Sequence, residues 1–405
     1  MSQLLFAAIA DDFTGGSDLA GMLHAEGVRT VQTFGIPDPA LLQGFDAAVV
    51  SLKTRSIEPD DAVRQSLQVL DAVKPLNPRQ WQFKYCSTFD STPKGNIGPV
   101  TSALLDALSE RFTIAVPALP VNGRTQYFGH LFVHGELLSE SPMRTHPLNP
   151  MTDSNLVRWL QLQTSRRCGL LPFRAVRSGA GAIHEYASSL RREGIEIALV
   201  DAIDESDMAR IAAAFSELRF ITAGSGLARH LPEIWKARGW LPASRESAPA
   251  PKTEGPALVL SGSCSAATLR QLENLRATGA EILPYTTPIE RVKSQIEATG
   301  LAVVSSSAPP GARTPGAERD IEHALAAFAR ELATRNGVRR IVVAGGETSG
   351  AVVEALGIRA VELTGILDPG VPSLRTVDRP EPLSLALKSG NFGSIDFFTK
   401  ALNRL

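Results

Sequence analysis

Short apolar runs recur along this chain, and most of them open into a polar or glycine-bearing turn followed by a segment of helical period. Strand-like runs at residues 4–9, 28–33, 47–52, 81–85 and 113–116 are separated by helical patterns at 17–26, 60–73 and 99–111. The rhythm returns with 195–200, a helix over 206–218 and 220–222. Such alternation predicts an α/β fold whose sheet is mainly parallel and flanked by helices. In sheets of this kind ligands bind outside the carboxyl ends of the strands, so the turns there are the first places to look for function.

A chain of 405 residues exceeds the size at which one core stops growing. Between 241 and 256 the apolar runs give way to Pro, Ala, Ser, Lys and Glu, which reads as a linker. The predicted organisation is therefore a domain over 1–240, the linker 241–256, and a second domain over 257–405. The second repeats the α/β pattern, with strands at 257–260, 281–283, 301–305, 339–343 and 383–387 and helices at 266–277, 316–335 and 351–356. A net charge of -1 gives no bulk attraction to nucleic acid or anionic membrane, so any anionic ligand must be held locally. The start of the chain lacks secretory-signal features, and no segment reads as a membrane span. Cys86, Cys168 and Cys264 are far apart and lack metal-ligand spacing, so a reducing cytoplasm fits best.

The first strand ends in Ala10-Asp11-Asp12-Phe13-Thr14-Gly15-Gly16-Ser17-Asp18. One aspartate can cap the following helix; the other is then free for a hydroxyl or a metal-bound water. After the strand at 81–85 comes Cys86-Ser87-Thr88-Phe89-Asp90-Ser91-Thr92-Pro93-Lys94-Gly95-Asn96, preceded by Lys84. So dense a set of donors suits a small polyhydroxylated anion, whereas a plain polar loop with Asp90 as a local cap would need far less. Lys53-Thr54-Arg55 adds cations at the same edge, and an arginine can clasp a carboxylate bidentately. The stretch from 117 to 155 lacks periodicity and reads as a long binding loop; it contains Asn122-Gly123-Arg124 and His130, His134 and His146. The histidine spacing matches no zinc pattern.

In the second domain, the run at 339–343 enters Gly345-Gly346-Glu347-Thr348-Ser349-Gly350. Paired glycines admit an anion to the backbone, and the hydroxyls stand beside a helix N-terminus. Ser261-Gly262-Ser263-Cys264-Ser265 and Lys388-Ser389-Gly390-Asn391-Phe392-Gly393 form two further turns of the same kind. Neither a Walker P-loop nor a dinucleotide fingerprint is present.

Taken together, Ala10–Gly16, Asp90–Asn96 and the three turns of the second domain resemble the four-carbon acid sugar kinase family over nearly the whole chain. The resemblance implies a sugar-acid-binding N-terminal domain, an ATP-binding C-terminal domain and an active site in the cleft between them. Within the family, the stretch from Lys84 to Gly98 most resembles members acting on 3-oxo-tetronate. Threonate and erythronate kinases tend to carry a Lys-Lys pair before the Asp-Ser-Thr and an Arg in place of Lys94. The implied reaction is ATP-dependent phosphorylation of the terminal hydroxyl of 3-oxo-tetronate, with D-threonate or D-erythronate as the alternative substrate.

On this reading Asp12 is the hydroxyl-orienting base, with Asp90 its rival. Asp11, Arg55, Lys84, Ser91, Lys94, Gly95 and Asn96 surround the sugar acid. Ser261, Gly345, Gly346, Glu347, Thr348 and Gly390 surround ATP, and Mg²⁺ bridges its phosphates with ligands that the sequence leaves unassigned. The expected partners are small molecules, with neither nucleic acid nor membrane among them, and a homodimer is left open. An acid-sugar dehydrogenase is weakened by the missing fingerprint, and a two-lobed sugar-acid sensor by Asp11, Asp12, Asp90 and Lys94, for which a sensor has no need.

Overall fold

Strands built wholly of buried residues need cover on both faces, and the central strands here are of that kind. In the computed structural model, which describes residues 4–146, 148–243, 253–307 and 318–405, the chain divides into two compact units, Met1–Arg245 and Glu246–Leu405. Of the predicted linker, residues 244–252 lie outside the described residues, as do the first two residues of the helix predicted over 316–335.

In the first unit the strands are β1 (Phe6–Ala10), β2 (Thr30–Phe34), β3 (Ala47–Ser51), β4 (Gln80–Lys84), β5 (Thr113–Val116), β6 (Arg124–Tyr127), β7 (His130–Val133), β8 (Glu136–Leu137), β9 (Cys168–Leu171), β10 (Ile197–Val200) and β11 (Phe220–Ala223). The main sheet runs β2-β3-β1-β4-β11-β5-β10-β9, parallel throughout. From β1 the chain winds outward to β2 and back through β3, then crosses to β4 on the opposite side of β1. The winding direction reverses there, and the β1/β4 carboxyl edge becomes the crevice of this sheet. Its helices are α1 (Phe13–Ala25), α2 (Pro59–Val73), α3 (Ile97–Leu108), α4 (Leu156–Gln161), α5 (Phe173–Arg177), α6 (Ala180–Arg192), α7 (Glu205–Phe215) and α8 (Leu231–Ala237). Local chemistry sets their starts: Asp12 caps α1, Asp204 caps α7 through the Asp207 N–H, and Pro59 opens α2.

The stretch from 117 to 155 is not the irregular loop that its sequence suggests. It holds an antiparallel meander, β6-β7-β8. Strands this short leave no readable period. Their two-residue turns place Phe128 (φ 49) with Gly129 (φ 73) and His134 (φ 52) with Gly135 (φ 89) in the left-handed region, where Asn or Asp is the usual first residue. Asp201, fully buried after β10, fixes the meander by accepting from the Phe128, Gly129 and Phe173 N–H groups at 2.9, 2.9 and 3.0 Å.

The second unit contains β12 (Ala257–Ser261), β13 (Ile282–Pro284), β14 (Leu301–Ser305), β15 (Arg340–Ala344), β16 (Ala360–Asp368), β17 (Val371–Thr376) and β18 (Ser384–Lys388), with α9 (Ala266–Ala277), α10 (Ile289–Thr299), α11 (Glu318–Arg335), α12 (Gly346–Ala355) and α13 (Phe397–Arg404). Its order β13-β14-β12-β15-β18-β17-β16 reverses winding between β12 and β15. The first five strands are parallel, whereas β16 and β17 form a hairpin turned by Pro369-Gly370 and β17 is antiparallel to β18. Phe397 and Phe398 of α13 close one face against Val259, Val342 and Ala386.

Asp201→Asn, nearly isosteric, keeps one acceptor oxygen but replaces the other by an NH2 group that cannot receive the N–H groups bonded there. It should lower unfolding stability by about 2–4 kcal/mol, read as a shifted denaturant midpoint at constant slope. An unchanged midpoint would show that the meander does not depend on this carboxylate.

Candidate functional site

At the β1/β4 edge the loops after three neighbouring strands are tied together. Asp11 N–H donates to the Lys84 carbonyl, while the Thr54 and Arg55 N–H groups donate to the Asp11 carbonyl. The Arg55 guanidinium then grips Asp11 with two parallel bonds of 2.9 and 2.8 Å and reaches Asp12 at 2.5 Å. Its third nitrogen lies 3.9 Å from Asp90. Burial alone would lower the Arg55 pKa, but the two aspartates raise it well above the ordinary value, so the cation is permanent. Burial also pushes Asp12 upward; the Arg55 and Lys84 charges and the Thr14 and Gly15 hydrogen bonds outweigh it, and the carboxyl lies below the usual range.

This geometry redistributes the expected roles. Asp12, read as the base with Asp11 as cap, is itself the helix cap: Oδ1 accepts from Gly15 N–H at 3.1 Å and Oδ2 from Thr14 at 2.8 Å. Asp90 is the carboxylate with an oxygen to spare, since Oδ1 accepts from Thr88 at 2.6 Å while, among the described residues, Oδ2 meets only the distant Arg55 nitrogen. The residue before it, Phe89, is buried at φ 56, an uncommon conformation for a bulky side chain, and its ring packs edge-on against Tyr85. Arg55, expected as a clasp for the substrate carboxylate, is engaged by the protein's own aspartates.

Several expected substrate contacts turn out to build the loop. The Asn96 amide donates to the Thr54 and Ile57 carbonyls at 2.5 and 3.0 Å, pinning the segment that carries Arg55. Ser91 is buried, donates to the Phe89 carbonyl and accepts from Gln163 and Trp159. Gly95 has no room for a side chain, because a Cβ would stand 2.7 Å from that of Ser91. Lys84 is buried and donates to the Tyr85 carbonyl at 2.9 Å. Lys94 is exposed. The Cys86 thiol beside them is pushed up to about 11, chiefly by burial.

In the second unit the three glycine turns converge at the β12/β15 edge. A Cβ on Gly262 would fall 2.0 Å from the Thr348 hydroxyl, and one on Gly390 2.4 Å from that of Ser263. Gly345 adopts φ 123, and Gly346 and Glu347 open α12 exposed to solvent. Backbone therefore lines the cradle, and it fits a phosphate chain. Ser261, expected there, is fully buried and bonded to Ser307. Ser263 and Ser265 of the same turn lie beside Gly390 instead, Ser265 as the cap of α9. One carbonyl, that of Gly390, receives Ser265 at 2.5 Å, Thr268 at 2.8 Å and Lys388 at 3.0 Å. Gln271 holds the Phe392, Gly393 and Ser394 carbonyls behind it. The signal for Lys388 was a lone lysine ending an apolar strand; it is fully buried, and burial pushes it down to about 8.

Because its folded value lies below the ordinary 10.5, Lys388 is a liability at low pH that is relieved as pH rises between about 8 and 10.5. The melting temperature of the wild type should rise by a few degrees relative to Lys388→Met across that window. Parallel melting curves would mean that the amine is not desolvated.

Residues 6–231 match a family model described as a sugar-binding N-terminal domain, and residues 258–398 one described as a nucleotide-binding C-terminal domain. The chain is 46% identical to a 3-oxo-tetronate kinase of Burkholderia multivorans, the match covering 100% of this chain and 98% of that one. It is also 46% identical to a 3-oxo-tetronate kinase of Cupriavidus necator, covering 99% and 97%. A crystal structure of a Haemophilus influenzae protein superposes with a TM-score of 0.83 at 39% identity, covering 98% of this chain and 99% of that one. Matched along its length by both domain models and by these kinases, the chain belongs to the four-carbon acid sugar kinase family.

Proposed function

We propose that this protein is a kinase that transfers the terminal phosphoryl group of ATP to the C4 hydroxyl of 3-oxo-tetronate, giving 3-oxo-tetronate 4-phosphate. The observation that carries this reading is the full-length identity of 46% to 3-oxo-tetronate kinases. The geometry supports it through two sites of complementary chemistry, a carboxylate cluster in the first unit and a glycine-lined phosphate cradle in the second. Three free thiols and the absence, among the described residues, of a helix long and apolar enough to cross a membrane support a cytoplasmic setting.

Phosphoryl transfer asks a protein for positioning and charge neutralisation more than for covalent chemistry. Asp90 Oδ2 orients and deprotonates the C4 hydroxyl, while Asp12 and Arg55 hold the loop edge rigid around it. Lys94 supplies an exposed cation for the transferred group. The turns at Gly262, Gly345 and Gly390 seat the phosphates of ATP against backbone N–H groups. Among the described residues no group of three His, Cys, Asp or Glu side chains is arranged to hold a metal ion; Glu347, the exposed carboxylate beside the cradle, would help to hold a Mg²⁺ that comes with the phosphates of ATP. When bound it neutralises phosphate charge.

A coupled ADP-release assay over four-carbon sugar acids should show turnover of 3-oxo-tetronate with kcat/KM well above that for D-threonate and D-erythronate; preference for either of those would overturn the substrate assignment. In the same assay Asp90→Asn should lower kcat by roughly 10²–10⁴ while leaving the KM for ATP unchanged. If Asp12→Asn alone abolished turnover, the base would be Asp12. Gly390→Ala should raise the KM for ATP by about tenfold or more and leave that for the sugar acid in place.

A further inference from the structure

Among the described residues, Oδ1 of Asp18 and Nε of Arg124 are buried polar atoms at the carboxyl edge of the first unit without a hydrogen-bond partner. They are of opposite charge. Asp18 stands on α1, its Oδ2 accepting from Ser225 at 2.5 Å. Ser225 follows β11, the strand next to β4, and Arg124 opens the meander after β5, the strand next to β11. Burial pushes Asp18 upward, and the charges of Lys84, Asp12 and Arg124 all reach it, so it lies within electrostatic range of both the carboxylate cluster and the arginine.

Arg124 is held in place before any ligand arrives. Its backbone exchanges bonds of 3.1 and 2.9 Å with Leu119, and its guanidinium donates to the Asn122 carbonyl. Gly123, at φ 70, turns the chain so tightly that a Cβ there would stand 2.4 Å from the His134 ring. A buried N–H and a buried carboxylate oxygen left unpaired each cost about 1–3 kcal/mol. A molecule presenting an anion next to a hydroxyl would satisfy both.

We propose that Arg124 and Asp18 bind the acid end of the sugar acid: the Arg124 Nε–H donates to the substrate carboxylate, and Asp18 Oδ1 accepts from the hydroxyl on the adjoining carbon. Ser225 orients Asp18 for that contact. The inference rests on the kinase reading above and supplies what that reading lacks, a carboxylate anchor to replace the self-engaged Arg55. On this assignment the C4 hydroxyl, at the other end of the four-carbon chain, is the group left for Asp90.

The test compares two substrates in two proteins. Erythrulose carries a CH2OH where 3-oxo-tetronate carries its carboxylate, and it is read by turnover or by competitive inhibition of the acid reaction. Arg124→Met should lower kcat/KM for 3-oxo-tetronate by about 10- to 100-fold, mostly through KM, as expected for one charge-assisted hydrogen bond. Its loss with erythrulose should be much smaller than its loss with the acid, its KM for ATP should stay as in the wild type, and Arg124→Lys should recover part of the acid preference. Asp18→Asn should weaken both substrates, since both carry the adjoining hydroxyl. Equal losses for acid and erythrulose in Arg124→Met, or no loss at all, would overturn the inference while leaving the kinase reading intact. A wild type that phosphorylates no four-carbon acid would overturn that reading, and the inference with it.

Discussion

The Arg55 guanidinium is the point on which the first unit's functional edge depends. It joins the loop after β3 to the turn after β1 and comes within 3.9 Å of the loop after β4. Two like charges at adjacent positions, Asp11 and Asp12, would repel each other in a buried turn without it. Removing one member of such a buried group leaves the others uncompensated, which is more damaging than never having had them. Lysine could not stand in, because the bidentate grip on Asp11 and the simultaneous reach to Asp12 need a planar fork of several donors. The support extends outward: Asn96 fixes the carbonyls of the segment that carries Arg55, so the start of α3 and the end of β3 are braced against each other.

Each unit reverses its winding beside its first strand, and the carboxylate cluster of the first and the glycine turns of the second lie at those reversals. The chemistry differs because the side chains differ. The first unit fills its edge with charges that mostly satisfy one another, leaving a few oxygens and nitrogens over. The second clears its edge of side chains so that backbone can approach an anion. With a net charge of -1 for the whole chain, neither site draws on a bulk field; both depend on groups fixed within a few ångströms.

The parallel strands were readable because a strand buried on both faces writes itself as an apolar run, and the glycine turns were readable because close backbone approach admits no other residue. What escaped was chemistry that depends on pairing across the sheet. The adjacency of Asp11 and Asp12 suggested a cap and a base, but which one caps is decided by Arg55, forty-three positions beyond Asp12. Ser91 and Asn96 look like ligand contacts in a polar sequence, yet their partners, Gln163 and the carbonyls of 54–57, lie far along the chain. Asp18 and Arg124 have no visible relation in the sequence; the fold brings α1 and the start of β6 within electrostatic range. The meander was hidden by short strands and by Phe and His in turn positions, and the β16–β17 hairpin also went unread, although Asp368-Pro369-Gly370 marks its turn.

The three donors on the Gly390 carbonyl have a chemical corollary. An amine whose titration has been pulled down to about 8 is in large part uncharged in mildly alkaline water, and an uncharged lysine is a nucleophile. Lys388 nonetheless has no accessible surface while the turn sits over it. Acylating reagents can reach it only when the groups packed on its amine, Thr268, the Ser389 and Gly390 carbonyls and the Phe397 ring, come apart, so its rate of modification reports the local opening of this part of the second unit.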